Sequence, residues 1–290
     1  MSLNNEEFVY RLPVSSSGTR PGAHRGLSRG SGMNFAAHAK LFDVPDPRRL
    51  DLRASISDVR GDWLVRTYLQ PASINIHVLL DMSASMQFGE PGKLQVAANF
   101  LNSLGISAHS YGDAISLLPF DETFREDLYQ PPRRGRAIGA HMAKTIQEAT
   151  TAIPQKSTDG TPTALQEAVS RIEGQSGLVF LLSDFHWGLD TIDPLLDKLA
   201  NATLVPIIIW DKTEVTPPEA GQLLFARDLK KDHRRQLWVS EPKREQWIAN
   251  VQAQRQKLTD LFARHNSSPF FIESSFNAEQ LSRYFTEHVT

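Results

Sequence analysis

Short apolar runs alternate with segments of helical periodicity in the chain from residue 74 onward. The runs at 74–80, 114–118, 178–182 and 204–210 lie between turn residues, which is typical of strands buried on both faces of a parallel sheet. After the first run, apolar residues recur at helical spacing at Leu94, Ala97, Ala98, Leu101 and Leu104. A strand, a helix and a second strand in this order form a βαβ unit. The pattern therefore predicts an α/β fold with a doubly wound, mostly parallel sheet flanked by helices.

The same periodicities predict the elements around and after these strands. Further helices are expected at 137–152, 162–173, 191–201, 241–264 and 278–288. The stretches 222–227 and 236–240 flank a charged segment and predict a late hairpin, and 269–272 predicts a last short strand. Pro206 lacks a backbone donor, so its strand is expected to be edge-like or bulged at that point.

The chain before residue 74 follows different patterns. Residues 14–32 are rich in Ser, Gly and Arg without periodicity, so an extended or mobile arm is expected there. The stretches 48–53 and 63–68 alternate as two antiparallel strands would, with a turn around Gly61 and Asp62. The predicted organisation is a flexible N-terminal arm at 1–32, a hairpin extension at 33–72, and a domain at 73–290 that contains the late hairpin at 222–240.

Composition narrows the function classes without choosing one. The chain has 40% hydrophobic and 22% charged residues, which is ordinary for a folded globular protein. A formal net charge of −2 gives no electrostatic reason to bind nucleic acid, and the lack of cysteine excludes disulfides and thiolate metal sites. No stretch approaches the roughly 18 apolar residues of a membrane helix, and the start lacks the pattern of a signal peptide. We therefore expect a cytoplasmic protein without membrane insertion.

Polar residues follow two of the predicted strands and precede one predicted helix. Asp81, Ser83 and Ser85 follow the first apolar run directly, and Asp184 follows the run at 178–182. Thr161 lies immediately before a predicted helix. Since ligand sites of open α/β sheets lie beyond the carboxyl ends of the strands, these loops are expected to converge on one crevice.

Two carboxylates and three hydroxyls are hard oxygen donors. They suit Mg²⁺, with Mn²⁺ or Ca²⁺ as alternatives, better than Zn²⁺. The alternative interpretation is that Asp81 and the serines cap a helix or form a turn, that Thr161 is only an N-cap, and that Asp184 is only a turn residue. The joint occurrence of all three loops favours a magnesium site.

The order Asp81-x-Ser83-x-Ser85, then Thr161, then Asp184 resembles the metal-ion-dependent adhesion site of von Willebrand factor A domains. The wider chain resembles the bacterial domain of unknown function 58 family, whose members are often encoded beside MoxR-type AAA+ ATPases. The resemblance implies that the two serines and Thr161 ligate the metal, while the two aspartates bind it directly or through water. An Asp or Glu carboxylate from a protein partner would then take an open coordination position.

The expected function is a metal-dependent protein-binding module, an adaptor or maturation factor that works with a MoxR-type ATPase or its client. Phe88, His186 and Trp187 follow the metal loops closely and are expected to form the rim that contacts the partner. The alternative is a magnesium-dependent phosphohydrolase of the haloacid-dehalogenase type. Those enzymes need a second Asp two residues after the first, where this chain has Ser83, so we expect no enzyme activity.

Overall fold

A computed structural model gives the conformation of most of the chain, in two compact units. The described residues are 6–10, 12, 24, 29–30, 34–69, 72–150, 161–189, 191–228 and 233–289. The smaller unit covers Pro13–Ile74, and the larger unit combines Met1–Leu12 with Asn75–Thr290.

The smaller unit contains an antiparallel sheet and a short helix. Its elements are β1 (Arg29–Gly30), β2 (Asn34–Lys40), α1 (Leu52–Ile56) and β3 (Leu64–Leu69). The strand order is β1-β3-β2, so β3 is the central strand. The predicted strand at 63–68 therefore exists, but its strand partners are β1 and β2. The stretch 48–53 contributes to this pairing through one antiparallel bridge, Leu50 to Val65.

The predicted strand at 48–53 is wrong. Residues Pro47–Arg49 form a 3-10 turn and Leu52–Ile56 form α1. The reason is local capping, because aspartate side chains accept hydrogen bonds from backbone N–H groups at the start of both turns. Asp46 accepts from Arg48 N at 3.2 Å, and Asp51 accepts from Ala54 N at 3.1 Å. The alternation of polar and apolar residues predicted a strand here, because that pattern does not take the two capping aspartates into account.

The larger unit is built on the predicted doubly wound sheet. Its strands are β4 (Asn75–Asp81), β5 (Ala114–Phe120), β6 (Gln130–Arg133), β7 (Gly177–Ser183), β8 (Ala202–Ile209), β9 (Leu223–Asp228), β10 (His233–Trp238) and β11 (Phe270–Ile272). In the described part of the chain, six of them form the main sheet in the order β11-β8-β7-β4-β5-β6. All neighbours are parallel except the antiparallel edge strand β6. The predicted α/β fold class is confirmed.

Helices flank this sheet as predicted. They are α2 (Lys93–Tyr111), α3 (Ile138–Thr150), α4 (Thr161–Ser170), α5 (Asp193–Asp197), α6 (Lys212–Val215), α7 (Glu241–Ala263) and α8 (Ala278–His288). Two of them depart from the predictions. The helix expected at 191–201 is regular over only the five residues of α5, and the four-residue helix α6 was not predicted. The late hairpin is present as β9 paired antiparallel with β10.

Both faces of the sheet are covered, which explains the near-continuous apolar strands. Successive residues of a strand point to opposite faces. On β7, Val179 and Leu181 pack in a cluster with residues of α4, α5 and the end of α7. Phe180 points the other way, where its ring lies 5.0 Å from Phe100 of α2 and 6.2 Å from Phe285 of α8. The core therefore has one layer on each side of the sheet.

Two residues of the predicted N-terminal arm are part of this core. Phe8 and Tyr10 are fully buried, and the ring of Phe8 lies against Phe100, Phe276 and Phe285. Tyr10 donates a hydrogen bond to Asp113 at 2.5 Å. The flexible arm predicted for 1–32 is therefore wrong at these two aromatic residues. It rested on the Ser, Gly and Arg content of 14–32, which says nothing about residues 8 and 10.

Pro206 lies where the sheet tolerates it. It pairs with Leu181 of β7 on one side, while the short strand β11 begins its pairing at Ile207. On its β11 side, Pro206 is therefore at the edge of the sheet, where its missing N–H breaks no ladder. This agrees with the expected edge-like position.

A buried histidine makes the larger unit sensitive to acid. His77 of β4 is 2% exposed, and its Nδ1 lies 2.6 Å from Ser116 Oγ. Burial lowers the pKa of His77 to about 4, so the folded protein holds it neutral. Its contribution to stability is complete above the ordinary pKa near 6.5 and is lost as the pH falls through the lowered pKa.

We expect His77→Leu to remove this part of the acid sensitivity. Between about pH 7 and about pH 5, the free energy of unfolding of the parent should fall by about 2 kcal/mol relative to that of the variant. Urea denaturation of both proteins at the two pH values measures the difference. A difference that does not change with pH would contradict the assignment.

Candidate functional site

The first and third predicted loops meet at the switch point of the main sheet. Within the sheet, β4 has β5 as its neighbour on one side and β7 as its neighbour on the other. The chain passes from β4 to β5 and β6 on the first side and then crosses to β7 on the other. Asp81 ends β4, and Ser183 ends the adjacent parallel strand β7. Ligands of open α/β sheets bind at such a point, outside the carboxyl ends of the strands.

Asp81 holds the two strand ends together. Its carboxylate is fully buried, and Oδ2 accepts hydrogen bonds from Ser183 Oγ at 2.5 Å and Trp187 Nε1 at 3.0 Å. The other oxygen, Oδ1, accepts from Ser83 N at 2.8 Å. Oδ2 therefore has both lone pairs engaged by these donors, and Oδ1 has one engaged.

The two predicted serine ligands are adjacent. Ser83 Oγ and Ser85 Oγ lie 3.1 Å apart at the start of a 3-10 turn, Ala84–Gln87, that begins just after Asp81. Ser83 is buried and Ser85 is partly exposed. The turn thus places two neutral oxygen donors side by side at the mouth of the sheet.

Asp184 is the second fully buried carboxylate of the site. Its Oδ1 accepts from His186 N at 3.2 Å and its Oδ2 from Lys93 Nζ at 2.8 Å. The next residue, Phe185, is buried with φ of 53°, a left-handed conformation that costs energy for a bulky side chain. Strained backbone of this kind often occurs at functional sites.

The second predicted loop is only partly described. Thr161 is the first residue of α4, at the helix N-terminus where the sequence placed it. Its side chain and residues 151–160 lie outside the described part of the chain. The placement of Thr161 as a metal ligand therefore stays a prediction.

Burial of two carboxylates gives the site an excess of negative charge. Burial and the neighbouring charge of Asp184 raise the pKa of Asp81 to about 6, although hydrogen bonds from Ser183 and Ser83 act against this. A bound cation would favour the ionised form of Asp81. The electrostatics of the two strand ends therefore suit a cation.

The structure adds a buried lysine that the sequence analysis did not include. Lys93, the first residue of α2, is 1% exposed, and its Nζ donates to Asp184 Oδ2 and to Glu214 Oε1, both at 2.8 Å. Glu214 belongs to α6, where its side chain also accepts from Asp211 N in a capping box. One signal in the sequence could have indicated this role. Lys93 is the first residue of a mostly apolar helix, at the end where the helix dipole disfavours a cation.

The three predicted rim residues lie close to this site, and they differ in exposure. Phe88 is 41% exposed, and its ring centroid lies 5.8 Å from Lys93 Nζ. His186 is exposed, and its Nε2 lies 3.5 Å from Glu214 Oε1. Trp187 is partly buried because its Nε1 is directed at Asp81. Trp187 therefore holds the carboxylate of Asp81 in place, and less of its side chain is exposed for contact with a partner.

A cavity opens next to the rim. It has a volume of about 730 Å³ and lies between the end of β8, α6 and α7. His186 and Glu214 line the side near the loop of Asp184, and Trp210, Trp247 and Val251 supply apolar walls. Trp210 Nε1 donates to Asp184 O at 3.0 Å, so the cavity wall is connected directly to the loop of Asp184.

Over the residues that the structure describes, no group of three or more His, Cys, Asp or Glu side chains is arranged to hold a metal ion. The predicted ligands differ from such a group because they include the hydroxyl oxygens of serine and threonine. Among the described helices, none combines the length and apolar character needed to cross a membrane.

This chain is similar to known proteins in both sequence and fold. The family described as "Protein of unknown function DUF58" matches residues 46–257. The uncharacterized protein Rv1480 of Mycobacterium tuberculosis (strain ATCC 25618 / H37Rv) is 26% identical over 216 residues, which is 72% of this chain and 64% of the relative. The conserved hypothetical protein BatB from Bacteroides thetaiotaomicron is 15% identical with a TM-score of 0.46, over 74% of this chain and 98% of that chain. A von Willebrand factor type A structure from Catenulispora acidiphila is 12% identical with a TM-score of 0.37, and the match covers 76% of this chain and 43% of that chain.

The sheet order defines an α/β protein, and its candidate site lies between the ends of β4 and β7. The chain belongs to the DUF58 family, because the match spans well over half of its 290 residues. It spans 64% of the length of the mycobacterial relative, so the activity and partners of the whole protein are matters for proposal.

Proposed function

We propose that this chain is a metal-dependent protein-binding module that captures a carboxylate of a partner protein. The observation that supports it best is the convergence of Asp81, Ser83, Ser85 and Asp184 at the switch point of the sheet. Two acids there are fully buried, and two hydroxyl oxygens lie 3.1 Å apart at the opening. The set resembles an adhesion site in both its residue types and their order.

The residues that are described suit a hard cation. Ser83 and Ser85 offer neutral oxygens, and with Thr161 they would ligate Mg²⁺, Mn²⁺ or Ca²⁺. In the described part of the chain, Asp81 Oδ1 accepts from Ser83 N, and each oxygen of Asp184 accepts one hydrogen bond, from His186 N and from Lys93 Nζ. A carboxylate oxygen can accept more than one such contact. The two acids would therefore bind the cation directly or through water.

Few anionic groups would touch such a cation directly. When bound, the metal would supply an electron-poor open position for a carboxylate from the partner. Phe88 and His186 lie at the rim, and the cavity beside His186 has room for a neighbouring side chain of the partner. We propose a MoxR-type AAA+ ATPase or its client as the partner, with this chain as adaptor or maturation factor; that part rests on the family resemblance.

The phosphohydrolase alternative gains no support from the site. Ser83 occupies the position where such enzymes carry their acid and base, and its Oγ lies against Ser85 Oγ. A hydroxyl cannot take up a proton as a carboxylate does near neutral pH. The binding function is therefore the one we propose.

The test is capture of a partner with and without a chelator. We expect the combined change Ser83→Ala and Ser85→Ala to weaken the complex at least tenfold, about 1.4 kcal/mol, because both proposed serine ligands are removed. The partner would be identified by affinity purification in Mg²⁺, and its affinity then measured by calorimetry for parent and variant. The melting temperature of the chelated protein should change little.

A matched control uses two exposed serines of helices α2 and α4. Ser110 and Ser170 each donate to a backbone carbonyl four residues earlier, and they lie in the last turns of α2 and α4, at the opposite ends of these helices from Lys93 and Thr161. The combined change Ser110→Ala and Ser170→Ala should leave the affinity for the partner unchanged. A complex that survives both the chelator and the loss of Ser83 and Ser85 would contradict the proposed function.

A further inference from the structure

Lys93 is the one lysine of the described residues that is fully buried, at 1% exposure. Removing an ammonium group from water costs several kcal/mol unless other charges and hydrogen bonds compensate. Its position as the first residue of α2 adds to this cost, since the positive end of the helix dipole lies there. The placement of Lys93 therefore depends on the acids that it contacts.

The ammonium bridges two acids of different origin. Its Nζ lies 2.8 Å from Asp184 Oδ2, at the proposed metal site, and 2.8 Å from Glu214 Oε1 on α6. Asp184 is fully buried, while the Glu214 side chain is 26% exposed and lines the cavity. One fixed positive charge is thus shared between the metal site and an acid at the surface.

We infer that Lys93 is a built-in cation of the metal site, which keeps Asp184 in place without metal and weakens the binding of metal. This inference rests on the proposed metal site. The ammonium occupies one acceptor position of Asp184 and adds a positive charge beside the position of the incoming cation. Charges a few ångströms apart in a buried site repel with an energy of several kT.

Glu214 adjusts how much of this charge acts on Asp184. Its carboxylate accepts a hydrogen bond from the same ammonium and so offsets part of the positive charge. Without the charge of Glu214, the ammonium would act on Asp184 alone and repel a metal ion more strongly. Loss of Lys93 and loss of Glu214 should therefore change metal affinity in opposite directions, which a purely structural role for Lys93 would not produce.

The test measures the affinity of the full chain for Mn²⁺ alone. Lys93→Met keeps the length of the side chain and removes its charge, and we expect it to bind Mn²⁺ at least tenfold more tightly than the parent. Glu214→Gln keeps an acceptor for the capping hydrogen bond of α6, and we expect at least threefold weaker binding. Lys144→Met is the matched control, since Lys144 is 72% exposed on α3 and should leave affinity unchanged. The rise in melting temperature on adding Mn²⁺ gives an independent readout.

The outcomes separate this inference from the proposed function. If Mn²⁺ binds the parent and Lys93→Met equally well, the role of Lys93 is wrong while the metal site stands. If the parent, Lys93→Met and Glu214→Gln all fail to bind Mn²⁺, the metal site itself is wrong. A Lys93→Met protein that folds only with Mn²⁺ supports the inference. If that variant does not fold at all, the direction of the Glu214→Gln change decides.

Discussion

Gly139→Ala is expected to destabilise the protein by about 3 kcal/mol, near the upper end of the range for overpacking. Gly139 of α3 lies against Gly105 of α2, and a Cβ at Gly139 would lie 2.4 Å from Leu101 O and 2.6 Å from Gly105 Cα. The atoms met are backbone, which cannot rotate away, so the two helices must separate. Alanine favours a helix by about 1 kcal/mol over glycine, so any loss measured is a packing effect.

Gly188→Ala is the control variant for this prediction. An added Cβ at Gly188 would meet nothing within 4 Å. Its free energy of unfolding in urea should stay within roughly 0.5 kcal/mol of the parent value. Gly105→Ala should resemble Gly139→Ala, and the double variant should cost less than the sum, because helices that have already separated accommodate the second methyl group. A Gly139→Ala protein as stable as the parent would show that the contact is not tight.

The hydrophobic pattern predicted the sheet because parallel strands buried on both faces have to be apolar throughout. The runs that became β4, β5, β7 and β8 met this requirement, and each was recognised. The same reasoning from pattern failed in the smaller unit at 48–53, because the side chains of Asp46 and Asp51 cap a 3-10 turn and a short helix there. A cap depends on a single hydrogen bond, and alternation of residue types does not reveal it.

The candidate site was predictable where its residues follow strands directly. Asp81 and Asp184 could be placed together, because the carboxyl ends of neighbouring parallel strands meet at one edge of the sheet. Lys93 and Glu214 could not, since their contact joins the start of α2 to α6 across 121 positions of the chain. The role of Ser183 was not predicted either, although its hydroxyl donates to Asp81 at 2.5 Å. Such contacts arise from tertiary packing.

Asp81→Asn is expected to weaken the affinity for Mg²⁺ or Mn²⁺ at least a hundredfold, about 3 kcal/mol. The change removes a negative charge from the site and replaces one acceptor oxygen with an NH₂ donor. In one amide orientation that donor meets Trp187 Nε1–H, and in the other it meets Ser83 N–H. The position therefore requires a carboxylate, and the loop of Ser83 should shift when it is lost.

The fold itself should survive Asp81→Asn, because β4 stays paired with β5 and β7 along its length. Loss of a buried ionised group also offsets part of the cost of the broken hydrogen bonds. Calorimetric titration with Mg²⁺ and with Mn²⁺ measures the affinity, and circular dichroism checks the fold. Asp121→Asn is the matched control, since Asp121 follows β5 at the same edge of the sheet but pairs with Arg125. Equal metal affinity in the parent and Asp81→Asn, or equal loss in both variants, would rule out the assignment of Asp81 to a metal site.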